Sequence, residues 1–245
     1  MVLKCVIPTW IIDTLNMSQC DKNVCGFEVN PLATNVLQWG GKRVKFAQTA
    51  LESAVLQREA LWLTRLAKLE CCDDNIQFLK QGIHSALITK YIEGESLSSF
   101  IAAHSFSSSH RDQVLGALCV QVKRLHQLGI VHGDIKPSNI LLTADDSVCL
   151  IDFANARRIG MPWSERGVEL QSICYSSPQR SACASPHDDL YALVMTINAV
   201  LAQDSYSLGN VPQYKLNHQS AKEWLQYVSI NDSVKAWLSD FITEV

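Results

Sequence analysis

No apolar run in these 245 residues approaches the ~18–20 needed to cross a bilayer, so no membrane span is expected. Positive charge is not in excess either. Lys and Arg number 21 against 24 Asp and Glu, for a net charge of −3. That balance removes the electrostatic case for nucleic acid or an anionic membrane surface, both of which call for basic patches. The nine cysteines are odd in number, scattered, and form no C-x-x-C pair. Free thiols in a reducing, cytoplasmic compartment are expected, and Cys71-Cys72 lacks the partner spacing of a metal cage. The opening stretch "MVLKCVIPTWIIDTLNM" has one early Lys, but Pro8 and Asp13 interrupt it and a small-residue cleavage site is missing. A secretory signal is therefore not expected. No internal repeat is visible.

What is there is globular. An apolar fraction of 47% and a charged fraction of 18% are those of a folded chain, and the length suits one large domain or two intimately packed lobes. Residues 33–48 hold two strand-like runs broken by Gly40-Gly41, which reads as a hairpin. Residues 49–70 repeat apolar positions at helical spacing (Leu51, Val55, Leu56, Ala60, Leu63, Leu66). Thr49 is placed to cap this helix, with Glu52 three residues on as its capping-box partner. Two short strands, "IQFLKQG" and "SALITKYIEG", follow. The stretch "SFSSSH" at 105–110 reads as a polar loop before a helix at about 111–128 that stops at Gly129. Residues 155–187 are irregular. "DDLYALVMTINAVLA" then reads as a buried helix, and "SAKEWLQYVS" and "DSVKAWLSDFI" as two short amphipathic helices.

The chemistry concentrates in "HGDIKPSN" (132–139) and "LIDFANARR" (150–158). Phosphoryl transfer leaves a protein little covalent work and depends on positioning and charge. It needs a carboxylate beside the attacking hydroxyl, an amide oxygen and a second carboxylate on Mg²⁺, and a cation on the phosphates. Asp134 and Asn139 lie five apart on one loop between a helix and a short strand, and Asp152 follows a second apolar strand. These segments resemble the H-R-D-x-K-x-x-N and D-F-G motifs of eukaryotic-type (Hanks-type) Ser/Thr protein kinases.

The resemblance implies an α+β, bilobal fold. Residues 1–92 would form an N-terminal lobe, a small antiparallel sheet with one helix, in which 1–32 are an unassigned extension or divergent first strands. Residues 93–245 would form a mainly helical lobe shortened at its C-terminus. Asp134 would orient the acceptor hydroxyl and take its proton, Lys136 would stabilise the transferring phosphoryl, and Asn139 and Asp152 would hold Mg²⁺ (or Mn²⁺). "SICYSSPQR" (172–180) resembles the motif closing the activation segment, with Ser172 where a Thr or Ser reaches the catalytic Asp and Lys. "DLYALV" (189–194) resembles the start of the large buried helix, where Asp189 would hydrogen-bond the catalytic-loop backbone. "QREALWLTRL" resembles the regulatory helix, with Glu59 as partner of the phosphate-binding Lys. "LITKYIEGESL" resembles the hinge, with Thr89 as gatekeeper and Lys90, Tyr91 and Ile92 against adenine.

Several positions depart from the pattern. Gly133 replaces the Arg that commonly pairs with a phosphorylated activation loop, and Ala154 replaces the Gly after Asp-Phe. No G-x-G-x-x-G precedes the candidate Lys; only Gly26, in "CGFEVNP", is at hand. Lys45 in "RVKFA" is the chosen phosphate ligand, although Arg43 would share its strand face; Lys42 is the alternative. Gln179 replaces the Glu of A-P-E, and the later Arg that pairs with that Glu is missing. His104, His110 and His126 read as surface or structural. Three functions stay open: an ATP- and Mg²⁺-dependent Ser/Thr protein kinase acting on a protein substrate, a small-molecule or lipopolysaccharide-sugar kinase on the same fold, and a pseudokinase that binds without catalysis.

Overall fold

A computed structural model of the chain describes residue 10, residues 29–33, 35–69, 75–145, 147–163, 172, 174–177 and 180–201, and scattered positions between 223 and 239. Gly26, Cys71-Cys72 and Gln179 lie outside the described residues, as does most of the two C-terminal segments expected to be helical. By contacts the chain divides into two compact units, Met1–Ile92 and Glu93–Val245.

The first unit is an antiparallel sheet with one long helix. Strands β1 (Val29–Ala33), β2 (Val36–Trp39), β3 (Lys42–Ala47), β4 (Gln77–Gln81) and β5 (His84–Lys90) lie in the order β1-β2-β3-β5-β4. Strands β2 and β3 join through Gly40-Gly41, where both φ values are positive, +52° and +74°. A two-residue hairpin whose twist matches its strands needs that conformation, and glycine adopts it without strain. The pairs Leu37↔Val44, Phe46↔Ala86 and Val44↔Ile88 put one apolar set on a single sheet face. Trp10, from within the stretch left unassigned by sequence, packs on that face. The opposite face carries Ala47 and Leu87 against Leu56 and Ala60 of helix α1 (Ala50–Lys68).

Helix α1 begins as its sequence specifies. The Glu52 N–H donates to Thr49 Oγ1 at 3.2 Å, and Glu52 Oε2 accepts from the N–H groups of Thr49 and Gln48 at 3.1 and 3.0 Å. Ser53, Leu56, Glu59, Ala60, Trp62 and Leu66 form its buried stripe. Leu51, counted with the apolar periodicity, falls off that stripe and is exposed.

The second unit is built on helices α2 (Leu97–Ala103), α3 (Ser108–Gln127) and α4 (Pro186–Leu201). Its short strands are β6 (Glu95–Ser96), β7 (Ile130–Val131), β8 (Ile140–Leu142), β9 (Val148–Leu150) and β10 (Arg157–Arg158). Helix α3 starts three residues before its expected place. The Ser107 side chain accepts the His110 N–H at 3.2 Å, so the serine run supplies an N-cap and first turn rather than a longer loop. Helix α4 is buried nearly all round, as its apolar run requires. Strands β8 and β9 pair, with β6 beside β8, while β7 pairs with β10. These two small ladders hold the loops that carry Asp134 and Asp152. Among the described residues, no helix is long and apolar enough to cross a membrane.

Candidate active site

Within the first unit, strand alternation decides which cation meets Glu59. Arg43, Lys45 and Ala47 share the sheet face turned to helix α1, and Lys42 lies on the other, where its Nζ sits 5.9 Å from the Trp39 ring centroid. Glu59 is 1% exposed, and Lys45 Nζ donates to its Oε2 at 2.7 Å. Arg43 approaches the other oxygen at 3.7 Å, an ion pair beyond hydrogen-bond reach. A buried carboxylate is tolerable only with such partners. Thr89 pairs across the ladder with Arg43, and Lys90 with Lys42. The Tyr91 N–H donates to the Gly41 carbonyl at 2.9 Å, so that donor is committed to the hairpin. Ile92 is exposed.

Within the second unit, Asp134 is the hub. Lys136 Nζ donates to its Oδ2 at 2.8 Å, and Asn139 Nδ2 donates to the same oxygen at 3.0 Å and to the Asp134 carbonyl at 2.9 Å. The Ser172 hydroxyl donates to Asp134 Oδ1 at 2.7 Å while accepting from Lys136 Nζ, also at 2.7 Å. The sequence thus brings three side chains, the farthest 38 residues away, onto one carboxylate.

The loop beneath is clamped by helix α4. Asp189 is fully buried; its Oδ2 accepts the His132 N–H at 2.7 Å and its Oδ1 the Gly133 N–H at 2.8 Å. His126 Nε2 lies 2.9 Å from the same Oδ2. Burial pushes the Asp189 carboxyl up, but the His126 hydrogen bond, the nearby histidines and the Gly133 N–H outweigh it, and the group is held below its ordinary value. His126 is 9% exposed and structural, and the Asp189 bonds to the loop backbone are those the resemblance implied. His132 also packs against Phe153 with the rings tilted, centroids 4.7 Å apart.

Asp152 has φ +64° and ψ +68°, the one left-handed non-glycine among the described residues. Aspartate reaches this region at a modest cost, and such strain gathers at functional sites. Ala154 follows in a 3₁₀ turn, Phe153–Asn155, and takes no positive φ, so its extra methyl meets no penalty there. The Ile151 N–H donates to the Asn139 carbonyl at 3.0 Å, which ties the Asp152 segment to the Asn139 turn. With the Asn139 nitrogen turned to Asp134, its amide oxygen is the atom offered to a cation. One amide oxygen and one carboxylate fit Mg²⁺, which keeps waters and phosphate oxygens in its shell rather than a full protein cage. Among the described residues, no cluster of three or more His, Cys, Asp or Glu could hold a metal by itself.

Sequence reasoning missed Trp163 and Arg180, whose neighbours are distant in the chain. Arg180 lies 3.9 Å from Asp188 and places its guanidinium 3.3 Å from the Trp163 ring centroid.

Comparison with known proteins places this geometry. A family model described as the protein kinase domain matches residues 41–244. Serine/threonine-protein kinase D of Synechocystis sp. is 31% identical over 160 residues, covering 61% of this chain and 30% of its own length. Serine/threonine-protein kinase PknL of Mycobacterium tuberculosis is 32% identical over 130 residues, covering 50% of this chain and 32% of its own. PknB of the same organism is 26% identical over 132 residues, covering 51% and 21%. The chain therefore spans about a third or less of the length of these curated relatives. The family match runs through each of the residues gathered on Glu59, Asp134 and Asp189, over well more than half of the sequence, and on that ground the chain belongs to the protein kinase domain family.

Proposed function

We propose that the chain transfers the γ-phosphoryl group of ATP to a Ser or Thr hydroxyl of a protein substrate, with Mg²⁺ or Mn²⁺ present. The observation that carries this reading is the Ser172 hydroxyl donating to Asp134 beside the Lys136 ammonium. A seryl O–H is already a fitting donor to that carboxylate, at the distance general-base catalysis requires.

In this reading the acceptor oxygen forms a bond to the γ-phosphorus, the bond to the β,γ-bridging oxygen breaks, and ADP leaves. Asp134 accepts the proton that the hydroxyl gives up. Lys136, bonded to Asp134 at 2.8 Å, sets its charge beside the transferring phosphoryl. Lys45, held by Glu59 at 2.7 Å, supplies the phosphate-binding cation of the first unit. Asn139 and Asp152 would hold the divalent ion, which when bound neutralises charge on the phosphate oxygens. Thr89, Lys90, Tyr91 and Ile92 would flank the adenine. The unit bounds at residues 92 and 93 fit a nucleotide-holding lobe followed by a catalytic lobe. Four free cysteines among the described residues (Cys119, Cys149, Cys174 and Cys183) accord with a cytoplasmic setting.

The test is γ-labelled ATP with Mg²⁺ and a generic protein acceptor, followed by identification of the labelled amino acid. Phosphoserine or phosphothreonine is expected. Label confined to small molecules would transfer the chain to the sugar-kinase reading. No transfer with an ATP-dependent rise in melting temperature would point to a small-molecule acceptor or a missing activator, and no transfer without that rise would favour a binding module.

A further inference from the structure

Gly133 stands where the family pattern has an arginine, and its surroundings admit no side chain at all. Its φ is +78°, in the left-handed region. A Cβ there would lie 2.8 Å from the Asn155 carbonyl oxygen and 2.9 and 3.0 Å from Cη2 and Cζ3 of Trp163. The space is taken by the Trp163 indole. That ring is 4% exposed and packs with Val131 and Ala184 in one core cluster. The Arg180 guanidinium lies 3.3 Å from its centroid and the Arg157 guanidinium 5.9 Å away. Its backbone is fixed as well. The Trp163 N–H donates to the Ala182 carbonyl at 3.1 Å, the Ala184 N–H donates to Met161 at 2.8 Å, and Pro162 bridges Cys183.

A glycine next to Asp134 would by itself loosen the catalytic loop, since glycine has the widest backbone freedom. Here that freedom is closed from two sides. Asp189 holds the Gly133 N–H at 2.8 Å, and the indole lies where a Cβ would point. We propose that Trp163 is a positioning residue for phosphoryl transfer: seated against Gly133 and under Arg180, it fixes the loop bearing Asp134 without a phosphorylated side chain. A cation stacked on an indole and an apolar cluster here do what an Arg–phosphate pair does elsewhere in the family. The proposal rests on the kinase reading above.

The full chain is assayed as wild type, Trp163→Ala, Trp163→Phe and Asp134→Asn, with hydrogen exchange measured on each. Trp163→Ala is expected to lower kcat on the order of 10²-fold, the usual penalty for a small misplacement of a reacting group. KM for ATP should stay within about twofold. Trp163→Phe keeps an aromatic face under Arg180 and should recover to within roughly tenfold of wild type. The His132 and Gly133 amides should lose protection in Trp163→Ala while those of β3 and β5 keep theirs. Phosphatase treatment should leave the wild-type rate unchanged. A wild-type kcat in Trp163→Ala, a uniform rise in exchange over both units, or a phosphatase-sensitive rate would each overturn the proposal. Should wild type transfer nothing, the kinase reading fails, and exchange at His132 and Gly133 alone decides the clamp. Should Trp163→Ala not fold, Arg180→Met replaces it and should loosen the same two amides.

Discussion

Glu59 serves two cations, and that arrangement makes its neighbours unequal. Lys45 holds Oε2 at 2.7 Å, and Arg43 waits 3.7 Å from Oε1. Removing one partner of a buried pair costs about 3–5 kcal/mol when the remaining charge is left bare. With Arg43 near enough to shift onto Glu59, Lys45→Met should cost less than that. Arg43→Ala alone should cost under about 1 kcal/mol, as an ion pair without a hydrogen bond. The double variant should exceed the sum of the two by about 1–3 kcal/mol, because residues sharing one partner are not additive. Urea titrations of the four proteins measure this, and simple additivity would show that Arg43 does not back up the pair. Melting with ATP reports on the nucleotide: Lys45→Met should lose the ATP-dependent rise in melting temperature, and a further variant, Lys42→Met, should keep it. Lys42, on the far face of β3, has no path to Glu59.

The start of helix α4 sets two adjacent carboxylates on opposite courses with pH. Burial pushes Asp188 up to about 6 from its ordinary 3.8, against the pull of the Ser185 N–H at 2.9 Å and of Arg180. A raised acid favours the folded state in its protonated form. Its contribution is full below about pH 4 and is lost as pH rises through about 6. Asp188→Asn, fixed in the neutral form, should therefore melt above wild type at about pH 7.5, with the gap narrowing towards about pH 5. A gap that does not change with pH, or widens on acidification, would contradict this. Asp189 runs the other way: held below its ordinary value, it contributes above that value and loses its contribution as acid protonates it. Neither behaviour is written in "HDDL", because burial and partners, not residue type, separate the two. What was legible in the sequence is what is local. The Thr49–Glu52 box and the Gly40-Gly41 turn act over two to four residues, and both formed as expected. The Ser107 cap was hidden because a serine run looks the same as a loop and as a helix start. The loops bearing Asp134 and Asp152 could be found from their spacing. The Trp163–Gly133–Arg180 packing could not, since its members meet only through tertiary structure.

At the scale of the molecule, each unit has a core that its own segments complete. In the first, the sheet buries both faces: helix α1 covers one, and the other gathers Leu37, Val44, Phe46, Ala86 and Ile88 with Trp10 packed on them. Trp10 also stacks on His84, with centroids 5.8 Å apart. A residue outside the family match at 41–244 thus belongs to the core of this unit. Trp10→Ala should cost about 1–3 kcal/mol, less than the ~3–5 of a fully buried aromatic because the ring is half-buried. An unchanged urea midpoint would remove Trp10 from the core. In the second unit, Asp189, His132 and Gly133 join helix α4 to the loop on which Asp134 stands, and the chemistry proposed for the chain converges on that carboxylate. The most direct measurement is the rate of phosphoryl transfer in Asp134→Asn against wild type, with nucleotide binding followed in parallel. The variant keeps the side chain's shape and removes its basicity. A loss on the order of 10²–10⁴-fold with an unchanged ATP-dependent melting shift is expected; transfer at the wild-type rate would contradict the assignment of Asp134 as the base.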